Sequence, residues 1–255
     1  MPFPAPKTAL VTGGARRIGR AIVEDLAAHG YAVAIHAHRS VHDAEALAAE
    51  LVAQGARAIA VPGELAELDR LDEICDAVES AFGPIGLLVN NASIFGDDDI
   101  ATMTPESFLA HMTVNAAAPI FLAQAFARRL PEQTEGLIVN VTDQRVRKTV
   151  PTHFSYGTSK ATLDGATRTL AQALAPRIRV NAIAPGPTLP SERQAMSDFE
   201  RQAAAVPLRH GPRLDEFGKA VRFFVEASSV TGQTIVLDGG QHLGWETPDV
   251  LGIEE

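Results

Sequence analysis

The sequence predicts an α/β fold: a doubly wound parallel sheet of about seven strands with helices on both faces. Three observations carry that prediction. Short apolar runs alternate with helical periodicities along the whole chain, the pattern of repeated β-α-β units. A glycine-rich stretch, Thr12-Gly13-Gly14-Ala15-Arg16-Arg17-Ile18-Gly19, joins the first apolar run to the first helical one. No linker, charge block, repeat or low-complexity tract divides the 255 residues, so residues 1–255 read as a single domain with a large core.

The elements follow in order. Thr8-Ala9-Leu10-Val11 is the first strand, and a helical pattern then runs from Ile18 to His29 and stops at Gly30. Tyr31 to Ala37 is the second strand, followed by a helix from Asp43 to Gln54 that Gly55 ends. Ala58 to Val61 is the third strand, and residues 67–82 form the next helix, with Gly83 and Pro84 after it. Leu87-Leu88-Val89 runs as a fourth strand into Asn90-Asn91-Ala92. One long helix is expected over 105–130, with Thr104 as N-cap and Pro105 at the first helical position. Leu137 to Val141 is the fifth strand. A helix over about 155–174, ended by Pro176, leads to a sixth strand at Arg179 to Ile183. Residues 184–212, rich in Pro, Ser and charge, read as a loop that shapes substrate choice; a helix near 214–226 and a strand at 234–237 close the chain. Right-handed crossovers place ligand sites beyond the C-terminal strand ends, where Gly13, Asn91, Asp143 and Pro185 fall.

Composition narrows the function classes. A net charge of -9 lacks the basic footprint that nucleic acid requires. Arg145, Arg147 and Lys148 form the densest basic cluster, which reads first as a solvated loop and second as a local pull on an anionic ligand. The one cysteine, Cys75, lies in an apolar-periodic segment and reads as core packing in a reducing compartment. The N-terminus has no apolar signal region, and no apolar run approaches a membrane span, so a soluble cytoplasmic protein without membrane partners is expected. No metal site is expected.

Two motifs carry chemistry. The glycine loop sits after a strand and before a helix, where glycines let a backbone approach a pyrophosphate and helix N–H groups face it, as in a Rossmann-type dinucleotide site. The second strand ends in His36-Ala37-His38-Arg39-Ser40. An NAD site usually has an acid there for the ribose hydroxyl; here Arg39, Ser40 and the two imidazoles supply donors suited to a 2′-phosphate, so NADPH (NADP+) is the expected cofactor. Asp43 reads as a cap of the next helix. The second motif is Tyr156-Gly157-Thr158-Ser159-Lys160, with Asp143 thirteen residues before the tyrosine. On a helix Tyr156 and Lys160 share a face, and the ammonium is expected to pull the phenol below its usual pKa of about 10, making it a proton donor.

Taken together, the glycine loop, Asn90-Asn91-Ala92, Asn115, Tyr156/Lys160, Pro185-Gly186 and Asp238-Gly239-Gly240 resemble the short-chain dehydrogenase/reductase family over nearly the whole chain. Within it, Arg17 in place of the usual glycine, the His-x-His-Arg-Ser string, Asp143 in place of the usual catalytic serine and Asn90-Asn91-Ala92-Ser93-Ile94-Phe95 resemble the pteridine reductase and dihydromonapterin reductase branch. Two features depart from the family pattern: Glu64 stands where an aspartate near the adenine is usual, and the 186–210 segment matches no pattern.

The resemblance implies a cofactor set of Gly13, Arg16, Arg17, Ile18, Gly19, His36, His38, Arg39, Ser40, Glu64, Asn91, Ala92, Ser93, Tyr156, Lys160, Pro185 and Gly186. It implies a substrate set of Arg17, Ser93, Phe95, Asp143 and Tyr156, with Phe95 stacking on a pterin. Asp143, Tyr156, Lys160 and Asn115 would form the catalytic group, Asn115 supporting Lys160 through a water chain. A carboxylate is a poor oxyanion holder but accepts hydrogen bonds from ring N–H groups, which suits a dihydropterin such as dihydrobiopterin, dihydromonapterin or dihydrofolate. Alternatives are a reductase of another carbonyl or imine, and a catalytically silent NADP-binding sensor or scaffold. Family members are usually homotetramers packed through the 105–130 and 155–174 helices, whose Ala116, Ala117, Ala118, Ala161 and Ala166 would suit either a partner or the sheet. Trp245 and His242 fit a pocket or an interface equally.

Overall fold

The structure, a computed structural model, describes residues 5–190 and 194–247. Residues 1–4 of the N-terminus and 191–193 of the 184–212 segment lie outside the described residues. The chain forms β1 (Thr8–Val11), α1 (Arg17–Ala28), β2 (Ala32–Ala37), α2 (Val41–Ala53), β3 (Arg57–Pro62), α3 (Leu71–Phe82) and β4 (Leu87–Asn90). It continues with α4 (Pro105–Met112), α5 (Ala118–Arg129), β5 (Gly136–Val141), α6 (Phe154–Leu174), β6 (Ile178–Pro185), α7 (Met196–Ala204), α8 (Leu214–Glu226) and β7 (Thr234–Leu237).

The sheet has the order β3-β2-β1-β4-β5-β6-β7 with every pairing parallel, the doubly wound architecture expected. Strand order reverses between β1 and β4, which opens a crevice at their C-terminal ends. The two-residue period of a strand divides the core. Ala9, Val11, Val33, Ile35 and Val139 face α1, α2 and α8 with Ile22, Leu47 and Phe217; Leu10, Ala34, Leu88, Ile138 and Val180 face α3 and α5 with Ile74, Leu122 and Phe126. Each fully buried Leu, Ile or Phe contributes about 1.5–3 kcal/mol of transfer free energy, before packing and entropy are counted. Cys75 belongs to the second cluster, and burial pushes its thiol up to about 12.

Three elements differ from expectation. The 105–130 helix begins as predicted, with Thr104 Oγ1 accepting from Ser107 N at 3.2 Å and Pro105 in the first turn, but a π turn over Thr113–Ala117 interrupts it. Pro119 supplies the reason: its ring opposes the carbonyl four residues earlier, that of Asn115, and a wider turn relieves the clash. The helix expected over 67–82 opens with a 3-10 turn at Leu68–Arg70 before α3. The 184–212 segment contains α7, which fully buries none of its residues; only Phe199 and Ala203 are half-buried, too few apolar positions to stand out in a stretch rich in Pro, Ser and charge.

Pro105–Arg129 also meets the length and mean hydropathy, 1.2 over its most apolar stretch, of a membrane span, correcting the expectation that no segment approaches one. Of that stretch 44% is buried inside the fold, as in a core helix of a packed domain. Ala116 and Ala118 are turned into the core, whereas Ala161 is exposed, so the alanines serve more than one face.

Candidate active site

The glycine loop is held by the side chains of Thr12 and Asn91. Thr12 Oγ1 accepts the backbone N–H groups of Asn91 and Ala92, both at 3.0 Å, and Asn91 Nδ2 returns bonds to the carbonyls of Thr12 and Gly13, both at 3.0 Å. The β1 and β4 ends are thereby locked together. Gly13 has φ +60°, and a Cβ on Gly19 would lie 2.2 Å from the Gly13 carbonyl oxygen, so both positions require glycine. No side chain caps α1 and no acid lies in its first turn. An uncapped helix N-terminus beside a glycine cradle fits the pyrophosphate of a dinucleotide, with Ile18 half-buried and Gly19 buried in that first turn.

Around this cradle the predicted donors divide. His38, Arg39 and Ser40 stand at the C-terminal end of β2 with Arg39 exposed, and His38 Nδ1 lies 2.8 Å from Glu64 Oε2. Asp43 sits in the first turn of α2 and accepts from Arg16 Nε at 2.6 Å, so it is Arg16's partner rather than an N-cap. His36 departs from its expected role. Its ring is buried, Nδ1 accepts from Gly13 N at 3.3 Å, and Nε2 meets Gly63 O at 3.2 Å, leaving no donor for a 2′-phosphate. Burial lowers its pKa to about 4, so the neutral ring braces the glycine loop against the end of β3. Arg17, at φ +54°, donates to the carbonyls of Pro190 at 2.9 Å and Leu189 at 3.2 Å, tying the glycine loop to the 184–212 segment. Pro185 ends β6, and Gly186 N–H donates to Leu237 O at 2.8 Å, while a Cβ on Gly186 would meet Asp238 at 2.4 Å.

The predicted catalytic side chains converge on the crevice. Tyr156 Oη donates to Asp143 Oδ2 at 2.8 Å, and Arg145 N–H donates to Asp143 Oδ1 at 2.8 Å. α6 is seated by a buried chain of amides and hydroxyls: Asn90 Nδ2 donates to Asn140 Oδ1 and Asn140 Nδ2 to Thr167 Oγ1, each at 2.9 Å. The N-terminus of α6 is held by Asp98, whose carboxylate accepts Ser155 N–H at 3.0 Å. Lys160 is buried and donates to Val141 O at 2.8 Å.

The protonation pattern is the reverse of the one expected for Tyr156. Burial, then the charge of Asp143 and its hydrogen bond, raise the phenol well above its ordinary value, and Arg145 alone pulls the other way. Lys160, at 5.8 Å from the tyrosine ring, is lowered to about 8 by burial, with Asp143 opposing. The Asn115 side chain accepts from Ile94 N at 2.8 Å and donates to Ile94 O and Ser159 Oγ, both at 3.0 Å. It thereby braces the 91–96 segment against α6 at Ser159, the neighbour of Lys160. Ser93 Oγ joins it at 3.2 Å.

Phe95, 46% exposed, projects over the crevice with its ring 4.7 Å from Tyr156, edge to face, and 4.5 Å from His153. Two partners escaped sequence reasoning. His153, the N-cap of α6, donates from or accepts at Nδ1 against Gly96 O at 2.9 Å, with nothing in its spacing to signal it. Arg145, which the sequence reads first as part of a solvated loop and second as a local pull on an anionic ligand, turns inward toward Asp143. His242 is paired with the buried Asp238 at 2.8 Å and Trp245 is 70% exposed.

Comparisons with known proteins agree with this geometry. Residues 7–201 match the family model described as short chain dehydrogenase. The chain is similar to FolM Alternative dihydrofolate reductase 1 from Brucella suis, solved in complex with NADP, at 53% identity and a TM-score of 0.93, covering 96% of this chain and 98% of that one. It is similar to a blue fluorescent protein from a metagenomic library, solved in complex with NADPH, at 32% identity and a TM-score of 0.85, covering 92% and 97%. Among curated sequences, a 3-oxoacyl-[acyl-carrier-protein] reductase from Synechocystis sp. is 33% identical over 238 residues, 92% of this chain and 96% of that protein.

Proposed function

This chain belongs to the short-chain dehydrogenase family and is an oxidoreductase, and from that premise we propose that it reduces a dihydropterin with NADPH. The single observation that carries the reading is the bond from Tyr156 Oη to Asp143 Oδ2, where a carbonyl-reducing member of the family would place a serine hydroxyl. An ionised carboxylate beside the phenol repels a developing oxyanion but accepts N–H donors, which a pterin ring presents. The FolM likeness supports the same substrate class.

NADPH supplies a hydride to one carbon of a ring C=N. Gly13, Gly19 and the α1 N-terminus would hold the pyrophosphate, Arg39 and Ser40 would meet the 2′-phosphate, and Lys160 would orient the nicotinamide ribose. Phe95 covers the opposite face of the substrate. Tyr156 and Asp143 act as a pair: the phenol proton goes to the ring nitrogen, directly or through water, and is replaced from solvent, so that one C=N is reduced and NADP+ leaves.

The test is NADPH oxidation with dihydrobiopterin, dihydromonapterin and dihydrofolate beside a 3-oxoacyl thioester. The curated relatives favour a second reading, reduction of a carbonyl in an acyl chain. Turnover of the thioester with none of any pterin selects that reading, and NADPH binding with no turnover at all selects a silent binding protein.

A further inference from the structure

Arg145 reaches three side chains that the proposed chemistry uses, Asp143, Tyr156 and Phe95. Its Nη1 lies 3.7 Å from Asp143 Oδ2, the oxygen that accepts the tyrosine hydroxyl. Its guanidinium carbon lies 5.7 Å from the ring centroid of Tyr156 and 5.7 Å from that of Phe95, within cation–π range of both. Its own backbone N–H fixes the second oxygen of Asp143 at 2.8 Å, so one residue holds both carboxylate oxygens. The side chain is only 21% exposed, and its Nε is buried with no hydrogen-bond partner among the described residues, an arrangement that costs desolvation and would be relaxed if the arginine served solubility alone.

We propose that Arg145 is a positioning residue of this site: it holds Asp143, Tyr156 and Phe95 in working arrangement and supplies the local positive charge that sequence spacing assigns to Lys160. The groups facing the phenol are Asp143 at its hydroxyl, Arg145 over its ring face, Lys160 from the next turn of α6, and His153 across Phe95. Of these, Lys160 is bound to the Val141 carbonyl, whereas Arg145 lies against the carboxylate itself. Without Arg145 the Asp143 charge stands uncompensated beside the phenol, and the proton is harder to release. The direction of the tyrosine shift agrees, since Arg145 is the group that opposes Asp143 there.

The inference rests on Asp143 and Tyr156 as the proton-handling pair, whatever the substrate. The test uses Arg145→Met, Arg145→Gln and Arg145→Lys in the full chain. NADPH affinity, read by fluorescence, is expected to stay within a fewfold of the parent. With Met or Gln, kcat is expected to fall about ten- to hundredfold, a fraction of what proton transfer contributes, and the basic limb of its pH profile to move upward, because a phenol without a nearby cation ionises at higher pH. Lys is expected to restore most of the limb position. A limb that stays in place in Met and Gln, or moves equally in Lys, overturns the proposal. A second readout needs no turnover. The chain has two tyrosines, so ring-labelled tyrosine NMR gives two signals, assigned with Tyr31→Phe. The Tyr156 signal is expected to shift in Arg145→Gln and return toward the parent position in Arg145→Lys; an unmoved signal overturns the role of Arg145. Absence of pterin turnover in the unaltered protein overturns only the substrate reading.

Discussion

Tyr156 and Asp143 share one hydrogen bond, phenol to carboxylate at 2.8 Å, across the gap between α6 and the end of β5. The proton of the candidate acid is thus held on oxygen by an anion, in a buried site where neither group is well solvated. Asp143→Ser is expected to lower pterin turnover about a hundredfold or more, the scale of positioned proton transfer, while NADPH affinity holds. Steady-state kinetics and a binding titration check it; unchanged turnover removes Asp143 from the chemistry.

The two groups are also expected to act as a unit. Tyr156→Phe and Asp143→Asn should each cost most of the activity, and the double variant little more than either alone. A double-mutant cycle on kcat decides the point. Additive losses would mean that the bond between them is not used in turnover.

At the loop, Gly19→Ala places a methyl against the Gly13 carbonyl and Asn91 Nδ2. The expected cost is about 1–3 kcal/mol of stability from overpacking, together with loss of NADPH binding. Thermal melts with and without NADPH report both effects. A variant that melts and binds like the parent would contradict the close approach.

His36 links stability to pH. Its folded pKa is lowered to about 4, from about 6.5 unfolded, so the unfolded chain takes up the proton first as pH falls. Stability is full above about pH 6.5 and is lost as pH falls toward 4, by up to about 3 kcal/mol for this group. Urea midpoints between those pH values measure the slope. His36→Gln should flatten it; an equal slope in that variant would assign the loss to other groups.

Cofactor preference is expected to follow Arg39. Arg39→Ala should reduce kcat/KM for NADPH about ten- to hundredfold, the value of a charge-assisted hydrogen bond, and leave NADH nearly unchanged. Equal losses for both cofactors would remove Arg39 from 2′-phosphate recognition.

Much of this was legible along the chain. Alternating apolar runs give the sheet because a strand buried on both faces has no polar side to show, and Thr104-Pro105 marks a helix start because cap and missing N–H are both local. Tyr156 and Lys160 are visible because helical spacing is periodic. Less was visible at Asn115, where Pro119 inside a helical pattern was the only sign of a π turn. In α7 only Phe199 and Ala203 are half-buried, a short and weak apolar signal, and the 184–212 segment therefore read as loop alone.

The sequence by itself determined the topology, the glycine cradle and the identity of the residues at the strand ends, because each depends on local periodicity or on the conformational freedom of one residue. Only the tertiary structure decided which charge meets which proton. Burial made His36 a neutral brace instead of a phosphate donor, and Lys160 turned to a backbone carbonyl. Arg145, read as surface, came to lie against Asp143, Tyr156 and Phe95. Desolvation and Coulomb interactions depend on distances between elements far apart in the chain, and spacing along a sequence does not contain those distances.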